Sequence, residues 1–211
     1  MSWNIVLGPP GTGKTTFLLN TVEDLFGKGI QPYELAYLAF TKKAATEALT
    51  RAVDKFDYDD DQLIYFRTIH SLCYFWQGLT RSDILDRKDL RAFSKLVGER
   101  INSAWDGENL MALNSVGDNM LFLENMARNT CKTYRDSWNT AQSDISWIHF
   151  DWFCSSYNNF KQTNFLMDYT DMLSGFMNFD TKPPLKALIV DEAQDLSALQ
   201  WNIPRAELSC A

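Results

Sequence analysis

Two stretches of this 211-residue chain have the residue types and spacing to handle a phosphate ester. The run Gly8-Pro9-Pro10-Gly11-Thr12-Gly13-Lys14-Thr15 fits G-x-x-x-x-G-K-[ST] throughout, with Thr16 following. Glycines at these positions let successive backbone N–H groups converge on phosphate oxygens. A helix opening at the lysine adds the positive end of its dipole, and the Lys14 ammonium reaches the β and γ phosphates of a nucleoside triphosphate. Thr15 supplies the hydroxyl that holds Mg2+ in such a loop. Far along the chain, Leu188-Ile189-Val190 runs into Asp191-Glu192-Ala193-Gln194-Asp195. In a parallel sheet both strands end on the same side, so Asp191 comes up to the phosphate loop and completes the Mg2+ shell through water. Glu192 is then placed to orient and deprotonate an attacking water. Taken alone, Asp191, Glu192 and Asp195 fit the acidic start of a helix equally well; a phosphate loop in the same chain favours the metal role.

Such a pair of sites has to be held by a sheet with helices on it. Short apolar runs at residues 4–7, 35–40, 63–66 and 186–190 predict strands, and the pattern from Thr15 to the stop at Gly27 and Gly29 predicts a helix, as does 43–56. That alternation is the signature of an α/β parallel sheet. Between Ser82 and Lys161 the strands disappear, and Val116, Met120, Leu123, Ala127, Cys131, Tyr134 and Trp138 recur at helical spacing. We therefore expect a helical subdomain at 81–164 inserted into a domain made of 1–80 and 165–211, with Pro183-Pro184 marking the return to β pattern. Trp105, Trp138, Trp147 and Trp152 are read as core residues of that insertion rather than base-stacking platforms.

Composition narrows the class further. A chain with 45% hydrophobic and 22% charged residues suits one globular domain carrying an insertion. No apolar run approaches the ~20 residues of a bilayer span, which predicts an intracellular, cytoplasmic protein that makes no membrane contact. Cys73, Cys131, Cys154 and Cys210 form no C-x-x-C pair and are expected as buried free thiols. The net charge of -7 opposes nonspecific nucleic-acid binding, so any such contact must come from a local surface.

Further motifs carry a family resemblance. Asp191-Glu192-Ala193-Gln194-Asp195 looks like motif II of the UvrD/Rep-type superfamily 1 DNA helicases, and Phe40-Thr41-Lys42-Lys43-Ala44-Ala45 resembles their motif Ia. Thr68-Ile69-His70-Ser71-Leu72 is similar to the next DNA-contacting motif, and Asp168-Tyr169-Thr170-Asp171-Met172-Leu173 to the acidic and aromatic segment before motif II. The resemblance implies a P-loop NTPase with a RecA-like parallel sheet, using ATP and Mg2+ to move along single-stranded DNA in repair or replication. Lys14, Glu192 and Gln194 would be catalytic, with Gln194 sensing the γ-phosphate. Gly8 to Thr16 would bind nucleotide, and Thr15 and Asp191 the metal. Phe40, Thr41, Lys42, Lys43, Thr68 and His70 would meet DNA, Thr41 through a phosphate at a helix start and Phe40 through stacking. Thr41 and Thr68 fit helix caps as well, and Lys42 and Lys43 a solvated face.

The pattern also departs from the family. Only seven residues precede Gly8, where the family has a glutamine that reads adenine. Motif III, the second RecA-like domain and its arginine fingers do not occur after motif II. We expect the sheet to be incomplete, the reading frame truncated or shifted near Asn202, and the helix after motif II interrupted by Pro204. A second polypeptide or a missing C-terminal region would supply the second domain. Without an arginine finger, worth ~10³ to 10⁵ in rate, hydrolysis by this chain is expected to be slow or absent. The alternatives are an ATP- and DNA-binding module without helicase activity of its own, or a P-loop kinase or AAA+ protein.

Overall fold

The computed structural model describes residues 4–9, 11–102, 115–141 and 144–209. Pro10, Trp105 and Cys210, singled out above, lie outside these residues. The chain divides into two compact units, Met1–Gln77 with Met177–Leu196 and Gln200–Ala211, and Gly78–Phe176 with Ser197–Leu199.

The first unit is mixed α/β. Helix α1 (Lys14–Gly27) follows the glycine-rich loop, strand β1 (Leu35–Ala39) leads into helix α2 (Lys42–Phe56), and strand β2 (Phe66–Thr68) leads directly into helix α3 (Ile69–Trp76). Thr41 caps α2 by accepting from the Ala44 N–H, and Thr68 caps α3 by accepting from the Ser71 N–H. In the second unit the chain forms α4 (Arg87–Val97), α5 (Val116–Asn129), α6 (Tyr134–Thr140) and α7 (Trp147–Thr163). Helix α8 (Tyr169–Met177) leads back to the first unit, where strand β3 (Ala187–Val190) is followed by α9 (Ala198–Ser209).

Among the described residues the sheet has three parallel strands in the order β2-β1-β3. Leu35 pairs with Ala187 and Leu38 with Val190, so β1 and β3 end level with each other. All five residues of β1 are buried, as a central parallel strand covered on both faces requires. Its Leu35 and Tyr37 pack with Leu19 and Val22 of α1, Ala48 and Ala52 of α2, and Phe66 of β2. The alanine stripe of α2 lets its backbone approach this sheet closely. The core of the second unit is separate, built on Phe93, Met120, Leu121, Phe150, Phe153 and Tyr157.

Several expectations are corrected. Residues 4–7 form no strand; Ile5 and Leu7 are 81% and 89% exposed. A strand exists only through a neighbour that takes its N–H and C=O groups, and β1 has both edges filled by β2 and β3. Hydrophobicity alone could not specify that partnership. The strand expected at 63–66 forms instead as Phe66–Thr68, because the buried side chains of Leu63 and Tyr65 lie in the turn that precedes it. The helical period running from Val116 to Trp138 is split: Cys131 adopts φ 55° and separates α5 from α6, and its side chain is exposed rather than buried. Cys73 and Cys154 are buried as expected. Trp152 is 46% exposed, so it does not fill the core with Trp138 and Trp147. Helix α9 runs through Pro204. The adjacent Ile203 is fully buried.

Candidate nucleotide site

The loop before α1 is shaped by close approach and by handedness. A Cβ on Gly8 would sit 2.8 Å from Thr12 Oγ1, and that hydroxyl donates to the Pro9 carbonyl at 2.7 Å. Gly13, at φ 82°, is the N-cap of α1 and is left-handed, a conformation that costs an L side chain roughly 1 to 2 kcal/mol. A glycine there offers no side-chain acceptor, so the first-turn N–H groups of Lys14, Thr15 and Thr16 have no side-chain cap. Such uncapped groups at a helix N-terminus suit an anion. Lys14 Nζ turns back over the loop, donating to the Gly8 carbonyl at 3.0 Å and standing 3.7 Å from Glu192 Oε1.

The second wall comes from the C-terminal end of β3. The Asp191 N–H continues the ladder to Leu38 O at 2.8 Å, which fixes where this residue leaves the sheet. Asp191 is 7% exposed. Oδ2 accepts from Thr15 Oγ1 at 3.4 Å, a contact between residues 176 apart in sequence, and from the Tyr37 hydroxyl at 2.9 Å. Oδ1 accepts from the Glu192 N–H at 3.0 Å. Glu192 itself is left-handed at φ 51°. A non-glycine residue held there marks strain stored at the turn. Gln194, exposed on the short 3-10 turn Ala193–Asp195, donates through Nε2 to Glu192 Oε2 at 2.6 Å. The structure thus brings Gly8, Lys14, Thr15, Asp191, Glu192 and Gln194 into one chain of contacts. Pro9, Gly11 and Thr12 form the exposed outer loop.

Burial, then the adjacent Asp191 charge, pushes the Tyr37 phenol far above its ordinary range, so it remains a proton donor. Sequence reasoning missed this residue. Its one signal was a hydroxyl-bearing aromatic in a strand otherwise made of leucine and alanine.

The donor set fits magnesium together with a triphosphate. It offers one hydroxyl, one buried carboxylate and an adjacent carboxylate, all oxygen ligands beside a lysine. Among the described residues no group of three or more His, Cys, Asp or Glu is arranged so that it could hold a metal ion by itself. A divalent ion would therefore depend on phosphate oxygens to fill its shell, as Mg2+ bound by one or two carboxylates does.

The residues expected to meet DNA lie at the same ends of β1 and β2. Phe40 is partly buried, while Thr41, Lys42 and Lys43 are exposed around the start of α2. Lys42 and Lys43 line a surface groove of about 570 Å³ with Thr46 and Glu47. Thr41 accepts the capping bond through oxygen, which leaves its O–H free to donate outward. Thr68 is 9% exposed, and burial lowers the His70 pKa to about 4, so this imidazole is neutral at physiological pH. Asp168 and Asp171 belong to the second unit and are engaged there. They cap the start of α8 reciprocally, at 3.0 and 2.8 Å, and pair with Arg128 and Lys161.

No helix among the described residues is long and apolar enough to cross a membrane. Over residues 2–206 the chain matches the family model described as the UvrD/REP helicase N-terminal domain. It is also 28% identical to a probable DNA helicase of Mycoplasma pneumoniae (strain ATCC 29342 / M129 / Subtype 1), in an alignment over 95% of this chain. The chain spans 40% of that relative's length. With its phosphate loop and acidic strand end drawn together at one edge of a parallel sheet, this chain belongs to the UvrD/REP helicase N-terminal domain family.

Proposed function

We propose that this chain is the ATP-binding N-terminal part of a UvrD-like DNA helicase. It would couple ATP hydrolysis to translocation on single-stranded DNA, and to unwinding once a second RecA-like domain closes over the nucleotide. The observation that carries the reading is the approach of Thr15 Oγ1 to Asp191 Oδ2 at 3.4 Å. It joins the phosphate loop to the carboxylate strand end, which supports a magnesium-bound triphosphate shared between them.

In this reading the α1 N–H groups and Lys14 hold the β and γ phosphates, and Thr15 and Asp191 hold the metal. When bound, Mg2+ neutralises charge that develops on the transferred phosphoryl group. Glu192 orients the attacking water and takes its proton, and Gln194, bonded to Glu192, responds to the γ-phosphate. Thr41, Lys42 and Lys43 hold DNA phosphates without reading sequence, with Phe40, Thr68 and His70 beside them. In the same reading, the helical subdomain expected at 81–164 would lie within the unit Gly78–Phe176. The protein would act in the cytoplasm.

Hydrolysis stimulated by single-stranded DNA tests the assignment. Glu192→Gln is expected to lower the rate by ~10² to 10⁴, the usual contribution of a positioned general base, while leaving ATP binding intact. Nucleotide binding with no hydrolysis even when a second RecA-like domain with its arginine fingers is supplied would favour a binding module. Unchanged hydrolysis in Glu192→Gln would refute the role given to that carboxylate.

A further inference from the structure

Tyr37 is fully buried, yet it carries a polar atom into the one place on β1 where another polar atom awaits it. Strand geometry explains how it gets there. Tyr37 pairs with Ile189 across the β1–β3 ladder, and Asp191 lies two residues beyond Ile189, so the period of two puts both side chains on one face of the sheet. The length of the tyrosine side chain carries its hydroxyl diagonally from that register position to the strand end. The ring is held for this purpose, stacked on Phe66 with centroids 5.3 Å apart and planes 10° apart. Its hydroxyl then meets Asp191 Oδ2 at 2.9 Å.

The Asp191 carboxylate is consequently fixed by donors from three places: Tyr37 on β1, Thr15 on α1, and the N–H of Glu192. The Thr15 contact is the longest of the three, at 3.4 Å. A Thr15 lone pair remains available to a cation while its O–H still points at Asp191, so the two shorter bonds, from Tyr37 and the Glu192 N–H, are the firmer constraints on the carboxylate. A carboxylate oxygen already accepting a phenol proton is a weaker direct ligand but a well-oriented acceptor for a metal-bound water.

We infer that Tyr37 is a positioning residue for the magnesium side of the site, holding Asp191 in the orientation that receives Mg2+ with the nucleotide. The inference rests on the nucleotide reading given above and goes beyond it by assigning the orientation of the Asp191 carboxylate to a residue outside both motifs. Outer-shell partners of this kind alter metal affinity by about 10- to 100-fold.

Tyr37→Phe removes the hydroxyl and keeps the stacked ring. ATP affinity of the full chain is measured by calorimetry with EDTA and across a Mg2+ titration. Tyr37→Phe is expected to raise the Mg2+ concentration at half-effect by about tenfold, while ATP affinity in EDTA stays within about twofold of the unaltered chain. A purely structural role would weaken ATP binding to the same extent with and without Mg2+, and that result overturns the proposal. So does an unchanged Mg2+ midpoint. An unaltered chain whose ATP binding ignores Mg2+ would instead overturn the nucleotide reading beneath it. A second measurement avoids dependence on the folding of the variant. With 3-fluorotyrosine placed at position 37, the 19F resonance should move when Mg2+ is added to the ATP-loaded chain, and should stay still in Asp191→Asn. A resonance unmoved by Mg2+ in the unaltered background contradicts the role.

Discussion

At the scale of single residues, the side chains around the phosphate loop are held by one another before any ligand is considered. Lys14 rests on the Gly8 carbonyl at 3.0 Å, a neutral acceptor that a phosphate oxygen would outcompete, since it sets a full negative charge against the ammonium. His70 shows how a motif residue can differ from its expected chemistry. Burial depresses its pKa from 6.5 to about 4, so the folded state binds fewer protons than the unfolded chain between those values. Stability is therefore fully present above about pH 6.5 and is lost as pH falls toward 4. Denaturant melts across this window should show a loss on the order of 1 to 3 kcal/mol that is absent from His70→Gln. Equal pH slopes for the two proteins would mean that the imidazole is not kept neutral. Above that window His70 brings no charge to a DNA phosphate, and the exposed Lys42 and Lys43 are the cations nearest the start of α2.

At the scale of elements, capping and burial decide what sequence periodicity leaves open. Thr41 and Thr68 were legible as helix starts because their hydroxyls stand three residues before the N–H groups they receive, a local relation. Residues 4–7 were not legible as coil, because an apolar run reports only that it prefers burial, and strand formation depends on partners distant in sequence. Tyr37 was illegible for the same reason: its partner lies 154 residues away. The acidic segment at 168–171 reads as a motif, but its energetics are those of a buried ionic knot among α5, α7 and the start of α8. Lys161 Nζ reaches Asp168 at 2.7 Å and Asp171 at 2.6 Å, and Arg128 pairs with Glu124, Asp168 and Asp171.

Opposing shifts follow within this knot. Although its own burial opposes ionisation, Arg128 and Lys161 hold the Asp168 carboxyl well below its ordinary 3.8. Its stabilisation is thus present above about pH 3.8 and lost as pH falls through the depressed folded value. Burial raises the Glu124 pKa against the pull of Arg128, so Glu124 contributes in the reverse sense and gains from protonation. Asp168→Asn leaves Lys161, 3% exposed, short of a countercharge. It should cost about 3 to 5 kcal/mol in urea unfolding near neutral pH, with the difference shrinking below about pH 4. A cost under about 1 kcal/mol would show that the knot is screened like a surface pair.

At the scale of the whole molecule, the two units divide the labour in composition as well as in contacts. The first holds the sheet and the residues of the proposed nucleotide site, and the second holds a separate aromatic core. The α/β character was legible from the alternation of short apolar runs with helical periods. The sheet's order, with β1 between β2 and β3, was not, because no local pattern encodes which strand is central. With a net charge of -7, the molecule has no general attraction for a polyanion, and its proposed contacts with ATP and DNA depend on cations placed locally.

The most direct measurement is a double-mutant cycle on calorimetric ATP binding with Mg2+, using Lys14→Ala, Asp191→Asn and the pair. Both residues would act on one magnesium-bound triphosphate, so each single change should weaken binding by roughly 10- to 100-fold and the double change by clearly less than their product. In EDTA, Asp191→Asn should bind ATP nearly as the unaltered chain does. Strictly additive losses, or ATP binding untouched by either substitution, would contradict a shared site.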